Sequence, residues 1–403
     1  MTKASGADLR FAGIFCGLVG LYDVVFAVTA ITGTAAIGYR VDVPFADFLV
    51  FHAAVQAFLR DNLAVIYDTD AFTHLQSTLY AARLPYELGF RPFLYPPLWL
   101  LDLLPFGVLP LVPSVAIFLA VTAGLCTAVL RGIGLGWRAT VAILAAPAAS
   151  WVVLVGQNTF LSVALLYGGL ALLERRPLTA GVLLGFLAYK PQVWLLVPLA
   201  LLAARAWRPL VAMLATIVAL SLVTLVLFGF DFWRAFLVAA QKAGTGAAAI
   251  EMYQRVHTHM TTLLAAAKIV GLSDGSAMAL QLAGALLAGV AVTWAFARNK
   301  TSAERTAILV TATFLVSPYT LNYDLMLLMP AAALLYLHPP RSGYRPGERT
   351  IYVLLWLIPG FCMGLNAIGL PLAPLIILAF GAFAGLRLQA AGKAELPHAA
   401  AAR

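Results

Sequence analysis

Charge is what this chain lacks. Only 11% of its 403 residues are Asp, Glu, Lys or Arg, against about 25% in soluble domains. Hydrophobic residues make up 62%, and the mean hydropathy is +0.92. No soluble core could bury this much apolar side chain, so the composition excludes a soluble enzyme and implies a polytopic membrane protein. Acidic residues are the scarcer sign, 17 against 26 Lys and Arg, for a net charge of +9. In a membrane protein that excess follows from the retention of Lys and Arg on the cytoplasmic side, so nucleic acid is not an expected partner. Cysteine is also rare. Cys16, Cys126 and Cys362 each sit in an apolar run and read as small buried hydrophobes, neither a disulfide framework nor a metal site. There is no Gly-x-x-x-x-Gly-Lys-Ser/Thr phosphate loop and no His-Glu-x-x-His pair. An ATP-driven or cytoplasmic nucleotide-sugar enzyme is therefore not expected, and any activated group must arrive preactivated, for example on a lipid.

What is present is a series of apolar runs punctuated by cations. Basic residues cluster at Lys3 and Arg10, Arg131 and Arg138, Arg175 and Arg176, Arg205 and Arg208, Arg298 to Arg305, Arg341 to Arg349, and Arg387 to Arg403. If all face the cytoplasm, an even number of spans separates each neighbouring pair. A span needs about 20 residues to cross about 30 Å of hydrocarbon. Residues 139–173 carry no charge and fit two crossings that turn outside at Gly156-Gln157-Asn158. Residues 177–204 hold one charge, Lys190, followed by Pro191. Two short spans with Pro191 opening the second place Lys190 at the outer edge, where a single helix would bury it at a cost of several kcal/mol. Residues 94–109 are short, rich in aromatic residues at their start and interrupted by Asp102, and read as an interfacial helix.

The expected fold is an all-α polytopic membrane protein of about twelve spans, at 11–33, 111–130, 139–156, 159–174, 177–190, 191–205, 208–229, 276–297, 305–319, 322–338, 350–367 and 369–387. Residues 1–389 form one transmembrane domain and 390–403 a short cytoplasmic tail. Two long outer loops, 34–110 with interfacial helices and 230–275, face away from the cytoplasm. The first apolar run is longer than a signal-peptide core and reads as an uncleaved span, with cleavage near Thr34-Ala35-Ala36 as the alternative.

This topology gathers the uncommon polar residues on the outer face: Asp42, Asp47, His52, Arg60, Arg83, Arg91 and Tyr95 from the first loop, Gln157, Asn158, Lys190, Asn322, Tyr323 and Asp324 from span turns, and Arg234, Lys242, Glu251, Tyr253, Arg255, His257 and His259 from the second loop. Carboxylates, cations and histidines around apolar walls suit a ligand with an anionic head and a greasy tail. Asp47 is either a helix N-cap or a base that takes a proton from an attacking hydroxyl, with Asp42 as its substitute. Lys190 is either a phosphate ligand or a cation snorkelling to the interface. Arg255 is either a phosphate fork or a solvated loop cation. His257 and His259 lack a third metal ligand at a usual spacing, which favours hydrogen bonding to a phosphate. Asp23, inside the first span, has no assigned role.

The order of these residues is that of a known family. Asp42 and Asp47 in a long outer loop precede Tyr67-Asp68 and Tyr95-Pro96-Pro97-Leu98, then Gly156-Gln157-Asn158, Ala180-Gly181-Val182-Leu183-Leu184-Gly185 up to Lys190-Pro191, and Ser317-Pro318-Tyr319 up to Tyr323-Asp324. Over about residues 40–335 the chain resembles the GT-C glycosyltransferases, specifically the bacterial polyprenyl-phosphate-mannose-dependent α-1,2-mannosyltransferases. The resemblance implies an active site at the outer face of the plasma membrane. It implies a polyprenyl-phosphate sugar donor, a glycolipid or glycan acceptor in the cell envelope, and inverting transfer; no cofactor is expected, and no divalent metal is required where Lys and Arg stabilise the leaving phosphate. It makes Asp47 the catalytic base and supports Arg255 and His257 or His259 at the donor phosphate; with these, Asp42, His52, Tyr95, Gln157, Asn158, Lys190, Tyr323 and Asp324 from the reading of the residues complete the expected substrate-binding set. His52 departs from the family, whose members often carry tyrosine there. Mannose is a default within it. The alternatives are a transporter or flippase of a lipid-linked or small solute, and another lipid-linked glycan transferase. Against transport, no internal repeat is visible, and the charges gather at one face instead of the midplane.

Overall fold

The computed structural model describes residues 45–81, 91–243, 253–254, 256–298 and 302–400, with backbone only for 243 and 392–400. The expected span at 11–33 and the residues Asp23, Asp42 and Arg255 lie outside the described residues. The described elements are helical, apart from one antiparallel bridge between Met260 and Leu321.

The first expected loop folds into α1 (Ala46–Phe58), α2 (Thr69–Tyr80) and α3 (Pro97–Gly107). There follow α4 (Leu111–Gly132), α5 (Trp137–Leu144), α6 (Pro147–Val155), α7 (Thr159–Leu172), α8 (Pro177–Phe186), α9 (Pro191–Trp194), α10 (Val197–Ala203) and α11 (Trp207–Phe228). The second expected loop contains α12 (Phe230–Ala243) and α13 (Leu263–Ile269). The chain ends with α14 (Asp274–Phe296), α15 (Ala303–Val316), α16 (Met329–Leu337), α17 (Glu348–Ala367) and α18 (Ala373–Ala400).

Among the described residues five helices are long and apolar enough to cross a membrane: α4, α11, α14, α17 and the Ala373–Ala391 part of α18. A sixth span results if α5 and α6, bent by 53° at their junction, count as one. The protein is thus a multi-pass membrane protein. Exposed Leu222, Val226, Leu286 and Val290 on α11 and α14 present the apolar surface that lipid contact requires. The other expected crossings are shorter apolar helices, among them Thr159–Leu172, Pro177–Tyr189, Pro191–Ala203 and Asn322–Leu337.

Proline explains most of the breaks. Pro147 removes a backbone donor and opens α6, which bends the expected 139–156 span. Pro191 keeps the residue before it out of helical geometry, so Lys190 lies at φ −120° and ψ 78° between a 3₁₀ turn (Leu187–Tyr189) and α9. Pro318 follows the end of α15 and leads into a second 3₁₀ turn, Asn322–Leu328. Small residues set the tightest packing. A Cβ on Gly181 would lie 2.3 Å from the Pro209 carbonyl, so the Ala180–Gly185 stretch seats α8 directly on α11.

Two apolar clusters result. The smaller joins α1, α3 and the start of α4, with Phe48, Phe51, Trp99 and Phe118 in edge-to-face contact. The larger is built by the helices from the C-terminal part of α4 onward. The broken segments around Gln157, Lys190 and Tyr323 meet where α1 abuts the larger cluster.

Candidate functional site

Asp47 stands on the first turn of α1, and the backbone before it is strained. Phe45 adopts a left-handed conformation (φ 58°), uncommon for a residue with a bulky side chain, and donates its N–H to the Leu154 carbonyl at 2.7 Å. No side chain caps α1, so Asp47 is not its N-cap. On the facing side α6 ends at Gly156, whose left-handed φ of 70° lets the Gln157 N–H return to the Val152 carbonyl at 2.9 Å. A Cβ on Gly156 would lie 2.5 Å from Cβ of Phe48. The missing side chain therefore lets α1 approach the turn and brings Asp47 to Gln157.

The contact is a hydrogen bond from Gln157 Nε2 to Asp47 Oδ2 at 2.7 Å. The same nitrogen donates to the Tyr323 hydroxyl at 3.0 Å. Gln157 Oε1 accepts from the Tyr95 hydroxyl at 3.0 Å and from the Asn158 N–H at 2.8 Å. Behind this layer Lys190 donates to Asp324 Oδ1 at 2.6 Å and to Asn158 Oδ1 at 3.2 Å, and its ammonium lies 5.7 Å from the Tyr323 ring centre. The other oxygen of Asp324 accepts the Leu321 N–H at 3.1 Å and so fixes the second 3₁₀ turn. Asp47 is partly exposed, whereas Gln157, Asn158, Lys190, Tyr323 and Asp324 are buried.

Burial raises the Asp47 carboxyl above its ordinary value. Arg91, the hydrogen bonds from Gln157 and Tyr323, and Lys190 act in the opposite direction and favour the carboxylate. Burial also raises the Tyr95 phenol well above its usual value, with the Asp47 and Asp324 charges adding to it, so Tyr95 remains a hydrogen-bond donor.

Seven of the residues singled out from sequence thus meet in one network: Asp47, Tyr95, Gln157, Asn158, Lys190, Tyr323 and Asp324. Lys190 does not reach out to an interface; it is 1% exposed and spends its charge on Asp324. His52 is engaged elsewhere. Its Nε2 donates to the Leu109 carbonyl at 2.8 Å, so its Nδ1 accepts the Tyr80 hydroxyl at 2.8 Å, and the ring ties α1 to α2 and to the end of α3. His257 stacks on Tyr253 at 5.5 Å and bonds the Gln254 carbonyl. His259 meets the Trp151 ring edge-on at 6.0 Å, and burial lowers its pKa to about 4, partly offset by a hydrogen bond with Asn322. The histidine turn is held beside the site by the Thr261 N–H bonded to the Thr320 carbonyl at 3.0 Å and by Asn366 Nδ2 donating to the Thr258 and Met260 carbonyls.

Some contributors were not in the expected set. Arg91 is the cation with the largest effect on Asp47. Tyr189 stacks on Trp99 at 4.5 Å and bonds Ser162, which packs the wall behind Asn158. Gly271 to Gly275 spells Gly-x-Ser-x-Gly, but Ser273 is the exposed N-cap of α14, where its Oγ accepts the Ser276 N–H, so it is not a strand-to-helix nucleophile elbow. Among the described residues no three His, Cys, Asp or Glu side chains form a group suited to a metal ion.

A family model, glycosyltransferase family 87, matches residues 93–318, more than half of the chain. The chain belongs to glycosyltransferase family 87. No curated protein and no solved structure matches it. As a member of this GT-C-type family it is a membrane glycosyltransferase. The matched stretch of the glycosyltransferase contains Tyr95, Gln157, Asn158, Lys190 and the histidine turn. Asp47, Tyr323 and Asp324 lie outside it and reach the network through the fold.

Proposed function

We propose that the protein transfers a hexose, by default mannose, from a polyprenyl-phosphate donor to a hydroxyl of a cell-envelope glycolipid or glycan, with inversion and with Asp47 as general base. The observation that carries this reading is the contrast within the network. Asp47 is the carboxylate of the network on a partly exposed residue and, among the described residues, is free of a salt bridge there, with one oxygen held by Gln157, while Lys190 and Asp324 behind it are paired and buried. In the transfer the acceptor oxygen forms a bond to the anomeric carbon and its proton passes to Asp47. The bond from that carbon to the phosphate oxygen breaks, and the electron pair leaves with polyprenyl phosphate. A positioned base of this kind contributes about 10²–10⁴-fold.

The leaving phosphate needs donors that strengthen as its charge develops. Arg91 is placed to act on the charge at Asp47, and neutral His259 offers a hydrogen bond without a charge. Asp42, Arg255 and His257 complete the proposed donor and acceptor contacts. An apolar groove of about 470 Å³ between α14, α15 and α18, lined by Leu287, Trp294, Leu315 and Gly381, is of a size and character that suits part of an isoprenoid chain.

The proposed setting is the plasma membrane, with both ends cytoplasmic, about twelve crossings that include the shorter helices and residues 11–33, interfacial helices α1 to α3, a single domain over 1–389, and the site facing outward. Purified protein incubated with radiolabelled polyprenyl-phosphate sugars and extracted envelope lipids tests the reading. A labelled acceptor product formed from one of these donors is expected. No product from any polyprenyl-phosphate sugar, with transfer from a nucleotide sugar instead, would overturn it.

A further inference from the structure

Gln157 has no hydrogen-bonding capacity left for a ligand. Its oxygen accepts two bonds, from Tyr95 and from the Asn158 N–H, and its nitrogen donates two, to Asp47 and to Tyr323. The side chain is 2% exposed. A backbone N–H can only donate, so Oε1 must face Asn158, and Nε2 is thereby turned toward Asp47. The amide is held from both sides, by Tyr95 on the oxygen and Tyr323 on the nitrogen.

We infer that Gln157 is a positioning residue for transfer: it holds Oδ2 of Asp47 so that Oδ1 is presented to the acceptor hydroxyl. This rests on the reading of Asp47 as the base. An amide suits the task better than a cation would. It donates to the carboxylate without the full charge that would hold the base ionised but too weak to accept a proton. Its bond to Oδ2 also restricts the carboxylate torsion, a broad two-fold rotor when unrestrained. The turn that carries Gln157 serves the same geometry, because Gly156 admits α1 to contact and the close of α6 directs the Gln157 side chain at its first turn.

The test is Gln157→Leu, similar in size and without donors, assayed for consumption of radiolabelled polyprenyl-phosphate mannose with envelope lipid extract. The expected result is a fall in kcat of about 10- to 100-fold, with KM for the donor changed less than about threefold. The acid limb of the kcat/KM profile should also move to higher pH. The lost Gln157 hydrogen bond favoured the carboxylate, and burial, which disfavours it, remains. If Gln157→Leu does not accumulate, Tyr95→Phe keeps the ring and removes only the hydroxyl that holds Oε1. It should shift the same limb in the same direction with a smaller loss of kcat. An unmoved acid limb with unchanged kcat in the variant assayed overturns the inference. So does a tenfold rise in KM at unchanged kcat, which would make Gln157 a substrate ligand. Asp47→Asn run in parallel separates the two readings. Normal turnover in that variant removes the base itself, whereas an inactive Asp47→Asn beside an unperturbed Gln157→Leu removes only the positioning role.

Discussion

Replacing Lys190 by methionine should destabilise the protein more than any surface change. Lys190 Nζ lies 2.6 Å from Asp324 Oδ1, with the two side chains 1% and 4% exposed. Methionine keeps the length and removes the charge, which leaves Asp324 buried with only the Leu321 N–H as a donor. Removing one partner of a buried ion pair costs about 3–5 kcal/mol. The side-chain Oδ1 of Asn158 loses its Lys190 donor as well, and an unsatisfied buried acceptor costs about 1–3 kcal/mol. These losses share one cavity and do not add fully, so about 3–5 kcal/mol is the expected total. Asp324→Asn should cost a comparable amount, because it strands the lysine while keeping an acceptor for Leu321. The double variant should cost clearly less than the sum, with a coupling of about 2–3 kcal/mol. Reversible unfolding in mixed micelles measures all three. Single variants within 1 kcal/mol of wild type, or a strictly additive double variant, would refute the claim that this pair bolts the broken segments together.

His52→Ala should lower stability by about 1–3 kcal/mol, since it strands the Leu109 carbonyl and leaves the Tyr80 hydroxyl only its bond to the Leu49 carbonyl, and should leave KM for the donor within about twofold; a large KM effect would return His52 to the substrate. Gly156→Ala should cut turnover at least tenfold with little change in expression, because the added methyl meets Phe48 and forces α1 and Asp47 away from Gln157; full activity would show that this close approach does not set the site. Burial holds the His259 pKa near 4, below its ordinary 6.5. Between these values the unfolded chain binds a proton that the folded chain refuses, so stability should fall as pH drops from about 6.5 towards 4. His259→Phe should flatten that slope, and an unaltered pH dependence of unfolding would place His259 in water.

Much of the site was legible because its residues break local rules. A lysine before proline in an apolar stretch, a Gly-Gln-Asn turn between uncharged runs, and an aspartate early in the first loop each stand out against a membrane sequence. Local rules give the break at Lys190 but not its direction. The partner, Asp324, lies 134 residues away and is met only through tertiary packing. His52 reads like the other polar residues of the first loop, yet its place on α1 turns it into the smaller core toward Tyr80 and Leu109. Tyr189 is hidden by the opposite effect. In an apolar run it resembles an interfacial aromatic, and only the fold stacks it on Trp99 and bonds it to Ser162. Span counting from apolar runs also overlooks how proline divides them. The stretch from 139 to 156 bends at Pro147, and the stretch from 177 to 205 becomes a series of short helices.

The most direct test of the catalytic assignment is the turnover of Asp47→Asn beside its binding of the polyprenyl-phosphate donor. Asparagine preserves the size of the side chain and can still meet Gln157, but it cannot accept the acceptor's proton. Loss of about 10²–10⁴-fold in kcat with donor affinity within about threefold of wild type is the predicted result. Turnover within a few-fold of wild type would contradict the assignment of the base to Asp47.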